Sequence, residues 1–233
     1  MMKKIIFVIA CGLLFYPAFS QTTATDSNDP GLRFGLTASP QITWMSASDK
    51  GLKSNGSYIG YEYGLLMDVI IKGNYSFGTG LLFNGSGGKL IYVDSSSFNT
   101  YPDSVFTPGM NVDYRLQYIT IPLTLKLHTN QIGYITYYGQ FGFRPGINIR
   151  SRADISYPTD RPLDTKVDFG ADVGPFDFGL LVGGGFDYAI AGNTAIHVGL
   201  QYYNGFIDVT DNPNNYKTKS TLSGLKLELG VFF

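Results

Sequence analysis

The stretch that decides the fold lies at residues 176–206 and reads FDFGLLVGGGFDYAIAGNTAIHVGLQYYNGF. Large apolar residues stand at every second position, as at Phe176 and Phe178, and small or polar residues such as Asp177 and Gly179 stand between them. Alternation with period two predicts half-buried β-strands. The Ala191-Gly192-Asn193 segment in the middle predicts a tight turn, so the stretch as a whole predicts a β-hairpin.

The same alternation recurs along the chain and predicts eight strands. Seven run at about 32–44, 58–70, 75–92, 113–127, 132–150, 175–190 and 194–206, and the eighth closes the chain with Leu225, Leu227, Leu229, Val231 and Phe233. The predicted connections alternate strictly between short turns, around 72–74, 128–131 and 191–193, and long segments rich in Ser, Asp, Pro and Asn. Short periplasmic turns alternating with long extracellular loops are typical of bacterial outer-membrane barrels.

The two faces of these strands separate a membrane barrel from a soluble sandwich. One face is large and apolar, as at Leu123, Leu125 and Leu127 of the fourth strand, while the other is small or polar, and we place Gln117, Thr124 and Lys126 on it. A soluble sandwich would need a charged outer face, for which glycine is a poor choice. A small membrane barrel has apolar residues toward lipid and polar ones inside. The sequence therefore predicts an all-β fold, an eight-stranded antiparallel up-and-down transmembrane β-barrel.

Composition agrees with this fold and excludes other classes. Hydrophobic residues make up 44% of the 233 residues and charged residues 15%, which excludes a disordered chain. A formal net charge of -1 without a basic cluster disfavours nucleic-acid binding. Seven aromatic residues near predicted strand ends suit interfacial girdles: Trp44, Tyr58, Tyr75, Tyr92, Tyr114, Tyr134 and Tyr202.

The amino terminus predicts export. Lys3 and Lys4 precede an apolar run at 5–15, and Ala18-Phe19-Ser20 offers a cleavage site. We expect a signal peptide at 1–20, a periplasmic segment at 21–31 and the barrel at 32–233. Cys11 gives a weaker alternative, a lipoprotein box. A cleaved signal and a barrel together predict localisation in the outer membrane.

With these features the chain resembles the PorT-type outer-membrane barrels of Bacteroidota. The resemblance rests on the signal peptide, the eight strands, the fourth-strand segment from Tyr118 to Lys126 and the terminal Phe233, and its most specific piece is Ile121-Pro122-Leu123. For Pro122 itself we expect a bulge at the barrel wall or a functional role. The founding member of that family is implicated in type IX protein secretion, and no catalytic residues are associated with the family motif. The resemblance thus makes a role in secretion a hypothesis for this chain, and it implies no catalytic residues.

Candidate chemistry concentrates inside the predicted barrel. The inward face would carry a polar network: Arg33, Glu62, Asp68, Lys126, Arg144, Asp177, Asp187, His197, Lys226 and Glu228. A polar relay or narrow ion path is one interpretation. A salt-bridged plug is the favoured one, because eight strands leave an interior that side chains just fill and buried charges must be paired.

Other candidate sites are weaker. His128 falls in a predicted periplasmic turn, as a solvated residue, and His197 lies too close to Gly192 for chemistry at the outer rim. Asp160, Asp164, Asp168 and Asp172 recur in the third long loop near Arg150, Arg152 and Arg161, without a calcium-loop pattern. We predict no catalytic, cofactor or metal residues.

The sequence thus predicts a non-catalytic barrel acting in secretion, assembly or surface interaction. Expected partners are outer-membrane lipid, the barrel assembly machinery during insertion, and secretion-system or surface proteins that bind the loops at 93–112 and 151–174. Apolar groups available there are Tyr101, Val105, Phe106, Tyr157 and Leu163. Two alternatives stay open: a lipid-modifying or proteolytic barrel enzyme, and a small-ligand binder or narrow channel.

Overall fold

The computed structural model describes residues 31–48, 50–157, 162–211 and 219–233. The predicted signal peptide and nearly all of the predicted periplasmic segment therefore lie outside the described residues. The strands are β1 Leu32–Ala47, β2 Leu52–Lys72, β3 Tyr75–Tyr92, β4 Ser96–Phe98, β5 Tyr101–Phe106, β6 Met110–Thr120, β7 Leu123–His128, β8 Ile135–Ser156, β9 Pro162–Asp168, β10 Phe176–Ala191, β11 Thr194–Gly205 and β12 Ser220–Phe232.

Eight wall positions close into a ring. Each wall strand pairs antiparallel with the next, β6 and β7 share the fourth position, β8 pairs with β10, and β12 pairs with β1. Closure leaves no edge with unpaired backbone groups, which lipid could not satisfy. The predicted eight-stranded up-and-down barrel is confirmed.

Side-chain exposure follows the alternation. On β1, Leu32, Phe34 and Leu36 are exposed, whereas Thr37 and Ser39 are buried. The exposed face of the wall is apolar and faces lipid, and the enclosed face is polar, as in other small membrane barrels.

The predicted inward position of Gln117 is wrong. Gln117 shares the outward parity of Ile119 and Ile121, and its side chain donates a hydrogen bond to the Tyr61 hydroxyl outside the wall at 3.2 Å.

Tight turns close the periplasmic ends. Gly73-Asn74 joins β2 to β3 and Gly192-Asn193 joins β10 to β11, and both glycines have φ of 55°. This left-handed conformation is strained for residues with a Cβ. The connection from β1 to β2, predicted to be long, spans only residues 48–51, because both strands continue as a hairpin beyond the membrane.

Several strands extend outward into an extracellular cap with its own apolar core. The predicted loops at 93–112 and 151–174 are partly strand: β4 pairs with β5, and β8 continues to Ser156 and pairs with β9. The cap core comprises Met45, Leu52, Leu90, Tyr92, Phe98, Phe106, Met110, Val112, Tyr114, Leu116, Tyr118, Ala153, Ile155, Phe169, Val173, Val209 and Leu222. Tyr92 and Tyr114 are thus buried and not girdle residues, and their hydroxyls share a hydrogen bond of 2.6 Å.

Pro122 interrupts the fourth wall strand without shifting its register. Thr120 faces Leu82 and Thr124 faces Gly78, four residues apart on both strands, so the expected bulge is absent there. The nearest register shift on this wall lies between Gln117 and Tyr118, where β8 has an extra residue at Ile149.

Candidate functional site

The ten predicted network residues all come from the inward face of the wall. Nine of them are buried, and Arg33, close to the periplasmic end of β1, keeps a side-chain exposure of 24%. They are positioned by β1, β2, β7, β8, β10, β11 and β12, so nearly every wall strand contributes.

Eight of the ten form a continuous chain of contacts along the barrel interior. From the periplasmic end, Arg33 pairs with Asp187 at 3.1 Å, and Asp187 contacts Nδ1 of His197 at 2.5 Å. Nε2 of His197 lies 3.2 Å from Glu228, which lies 3.6 Å from Nζ of Lys226. Basic and acidic side chains therefore follow one another through the lower half of the barrel.

The chain continues toward the extracellular end. Lys226 forms an ion pair with Glu62, and Arg144 lies 3.7 Å from Glu62 and 3.6 Å from Asp177. The Arg144 guanidinium stacks on the buried ring of Tyr203, 3.5 Å from its centroid. The last two network residues stand apart as a pair, with Lys126 Nζ at 2.8 Å from Asp68.

Neutral side chains fill the spaces between these charges. Asn84 donates to Glu62 at 2.8 Å, and Gln140 and Gln201 donate to Glu228. The cavity between Lys126 and Glu228 has a volume of about 10 Å³, and one water needs about that much. The apolar cap core lies above this network on the extracellular side.

The two histidines lie away from the extracellular rim. His128 ends β7, and its Nε2 lies 2.8 Å from Oγ of Ser76. The ring is partly buried and packs against Tyr138, which corrects the prediction of a solvated turn residue. This Ser-His contact escaped the sequence analysis because 52 residues separate the pair. Ser76 is 1% exposed, which gives a substrate no access to its hydroxyl.

The aspartates of the third long loop diverge. Asp164 accepts from the Tyr101 hydroxyl at 2.6 Å, Asp168 accepts from the backbone of Gly170, and Asp160 lies outside the described residues. Buried Asp172 accepts from the backbone N–H groups of Asn99 and Thr100 at 2.5 and 3.0 Å. It therefore ties the β4–β5 hairpin to the third long loop. No group of three metal-ligating side chains occurs in the described part of the chain.

Most of the predicted apolar loop residues pack into the cap. Phe106 is buried there, Tyr101 and Tyr157 are half-buried against it, and Val105 is 68% exposed. The side chain of Leu163 lies outside the described residues. Partial burial and the hydrogen bond to Asp164 raise the pKa of Tyr101 to about 12. Of the predicted apolar loop residues whose side chains the structure describes, only Val105 is thus largely exposed.

Comparison with known proteins identifies the family. A family model described as outer membrane protein beta-barrel domain matches residues 19–211. The chain belongs to this family. The protein is therefore an outer-membrane β-barrel, in agreement with its closed wall and apolar outer face. No curated protein matches the chain. In the described residues, no helix is long and apolar enough to cross a membrane.

Solved structures with a similar fold include outer-membrane barrels of several bacteria. Neisserial surface protein A of Neisseria is 16% identical, with 85% of this chain and 95% of that chain covered and a TM-score of 0.44. OprG from Pseudomonas aeruginosa is 11% identical over 89% and 98%, with a TM-score of 0.44. Ail, the attachment invasion locus protein of Yersinia pestis, is 12% identical over 86% and 98%, with a TM-score of 0.38.

Proposed function

We propose that the protein is a closed, non-catalytic barrel that presents its extracellular cap to a protein partner, as a component of secretion, assembly or surface interaction. The observation that carries the proposal is the set of paired charges across the described interior, beneath an apolar cap core, which we interpret as a plug. A closed interior leaves the surface of the cap as the part that can act.

Hydrogen bonds between separate segments tie the described part of the cap together. Asp172 holds the β4–β5 hairpin against the third long loop, and Asp208 accepts from the backbone of Thr210 and Ser220 at 3.1 and 2.9 Å. Pre-organised surfaces lose less conformational entropy on binding. Val105 on β5 is an apolar group of the cap with 68% exposure.

Type IX secretion is the specific role that we propose to test first, on the strength of the PorT resemblance, which includes export by a signal peptide at 1–20. The experiment compares the secreted and periplasmic proteomes of a deletion strain with those of its parent. Accumulation of normally secreted cargo in the periplasm, reversed by the wild-type gene, would establish an export component. An unchanged secretome would remove the secretion role and leave surface interaction.

A photo-crosslinking amino acid at Val105 then tests the cap as a binding surface. The matched control carries the same amino acid at Asn74, which is exposed in the periplasmic turn between β2 and β3. A discrete adduct at Val105 alone supports the proposal. Absence of any adduct at the cap, together with ion conductance of the purified protein in planar bilayers, would replace it with the channel alternative.

A further inference from the structure

A groove on the outer wall collects basic and aromatic side chains that the network above does not use. It has a volume of about 120 Å³. The side chains that line it and carry the argument are Tyr58, Tyr61, Arg115, Gln117, Arg150 and Arg152.

Strand register builds this groove in two adjacent rows. In the lower row, Tyr61 of β2 faces Gly85 of β3, Gly85 faces Gln117 of β6, and Gln117 faces Arg150 of β8. A Cβ on Gly85 would come within 2.8 Å of the Tyr61 ring, so glycine allows the ring to lie across β3. The Tyr61 hydroxyl then accepts a hydrogen bond from Gln117.

The upper row repeats the pattern. Gly87 of β3 faces Arg115 of β6, which faces Arg152 of β8. A Cβ on Gly87 would lie 3.3 Å from the ring of Tyr58. The two glycines thus form a floor between two tyrosines on one side and three arginines on the other.

The groove is positively charged. Arg115 and Arg152 lie directly opposite each other, and like charges in that position destabilise a sheet. Arg115 pairs with Asp154, and Asp168 lies opposite Arg152 without forming an ion pair. Among the described residues, neither Arg150 nor Arg152 has an ion-pair partner, so an anion would find two unpaired guanidinium groups.

The depth of the groove in the membrane identifies the anion. Directly below it the outer wall is apolar, with Ile147 and Ile149 about half exposed to lipid. Directly above it stands an exposed ion pair between Lys89 and Asp113. The groove therefore lies at the boundary between the apolar belt and the extracellular hairpins, which is the headgroup layer of the outer leaflet.

We propose that this groove binds the phosphate group of a phosphorylated outer-leaflet glycolipid. Guanidinium groups bind phosphate oxygens with paired, charge-assisted hydrogen bonds, and Arg150 and Arg152 are free to do so. Tyr58 and Tyr61 present apolar rings with polar tips, which suits the interface between acyl chains and headgroups. The lipid phosphate would also offset the repulsion between Arg115 and Arg152.

Native mass spectrometry of the full-length protein in detergent tests the proposal, with bisphosphorylated lipid A and its dephosphorylated form as probes. We expect the bisphosphorylated form to bind and the double variant Arg150→Gln/Arg152→Gln to bind it about tenfold more weakly, as the loss of charged hydrogen bonds implies. Lys53→Gln, an exposed cation on β2 outside the groove, is the control and should bind like the wild type. A heat-dependent shift in electrophoretic mobility verifies that each variant is a folded barrel.

Three results would overturn the proposal. Equal binding of the phosphorylated and dephosphorylated lipids would show that phosphate is not recognised. An equal loss in the double variant and the Lys53→Gln control would show only a general charge effect. Displacement of lipid A by millimolar inorganic phosphate with no preference for the lipid would assign the groove to the free anion.

Discussion

The Lys126–Asp68 pair offers a direct measurement of how dry the barrel interior is. Lys126 Nζ lies 2.8 Å from Oδ1 and 3.0 Å from Oδ2 of Asp68, and their side chains are only 5% and 3% exposed. Removing one partner of a buried pair leaves an uncompensated charge, which costs about 3–5 kcal/mol. We therefore expect Asp68→Asn and Lys126→Met each to lower the free energy of unfolding by about that amount.

A double-mutant cycle isolates the interaction between the two groups. The double variant should lose less than the sum of the single losses, with a coupling free energy of about 2–3 kcal/mol. The matched control is the pair of Lys89 and Asp113, which has a distance of 2.6 Å but side-chain exposures of 45% and 34%. Exposed pairs typically contribute about 0.2–1 kcal/mol, so the same cycle there should give a coupling within that range.

Urea unfolding in lipid vesicles, followed by the mobility of folded and unfolded forms on a gel, provides the free energies. If the buried pair coupled as weakly as the exposed pair, water would be screening the interior charges. The interior would then be wet and open, which would refute both the closed plug and the function built upon it.

Three further predictions follow from local geometry. Tyr101 has a pKa of about 12, above its ordinary value of 10.0, so its hydrogen bond to Asp164 should contribute fully below pH 10 and be lost as the pH rises through about 12. Ultraviolet titration of wild type against Tyr101→Phe measures this, and ionisation of Tyr101 near pH 10 would contradict it. Gly192 has φ of 55° and open space around its Cβ position, so Gly192→Val should cost about 1–2 kcal/mol through backbone strain alone, and Gly192→Asn less. An equal loss for both variants in urea unfolding would argue against strain. Pro122→Ala should preserve the folded mobility and change stability by at most about 1 kcal/mol, because the register already runs unbroken past the proline.

The wall of the barrel could be predicted from the sequence because its two faces lie in different environments, lipid outside and the barrel interior inside. Lipid demands apolar residues at one parity and the interior accepts small or polar ones at the other, so a period of two survives over whole strands. The polarity of Gln117 misleads, because it suggests an inward position. Its parity with Ile119 and Ile121 was the stronger signal, and the Tyr61 contact outside the wall shows why a polar group is accommodated there.

The cap could not be predicted from the same pattern, although part of its signal is present. On β6, Val112, Tyr114 and Leu116 have the parity of inward Thr124 and Lys126 but are apolar. The inward positions of this wall strand therefore change from polar to apolar residues along the sequence, and this change signals the cap. The pairing of β4 with β5 and the clamp at Asp172 depend on contacts between residues far apart in the chain, which no local pattern reveals.

This change from polar to apolar residues at the inward positions also locates the outer boundary of the membrane. On β6 the inward residues change from polar Thr120 to apolar Tyr118, and at the same level the outward residues change from apolar Ile119 to polar Gln117. Below the boundary lipid surrounds the wall, and the charges stay inside, paired with one another. Above it water surrounds the hairpins, and the hydrophobic effect moves the apolar side chains inside. Both changes, inside the barrel and outside it, occur at the level of the groove lined by Arg115, Arg150 and Arg152. The interior and the exterior of the barrel therefore independently place that groove among the lipid headgroups.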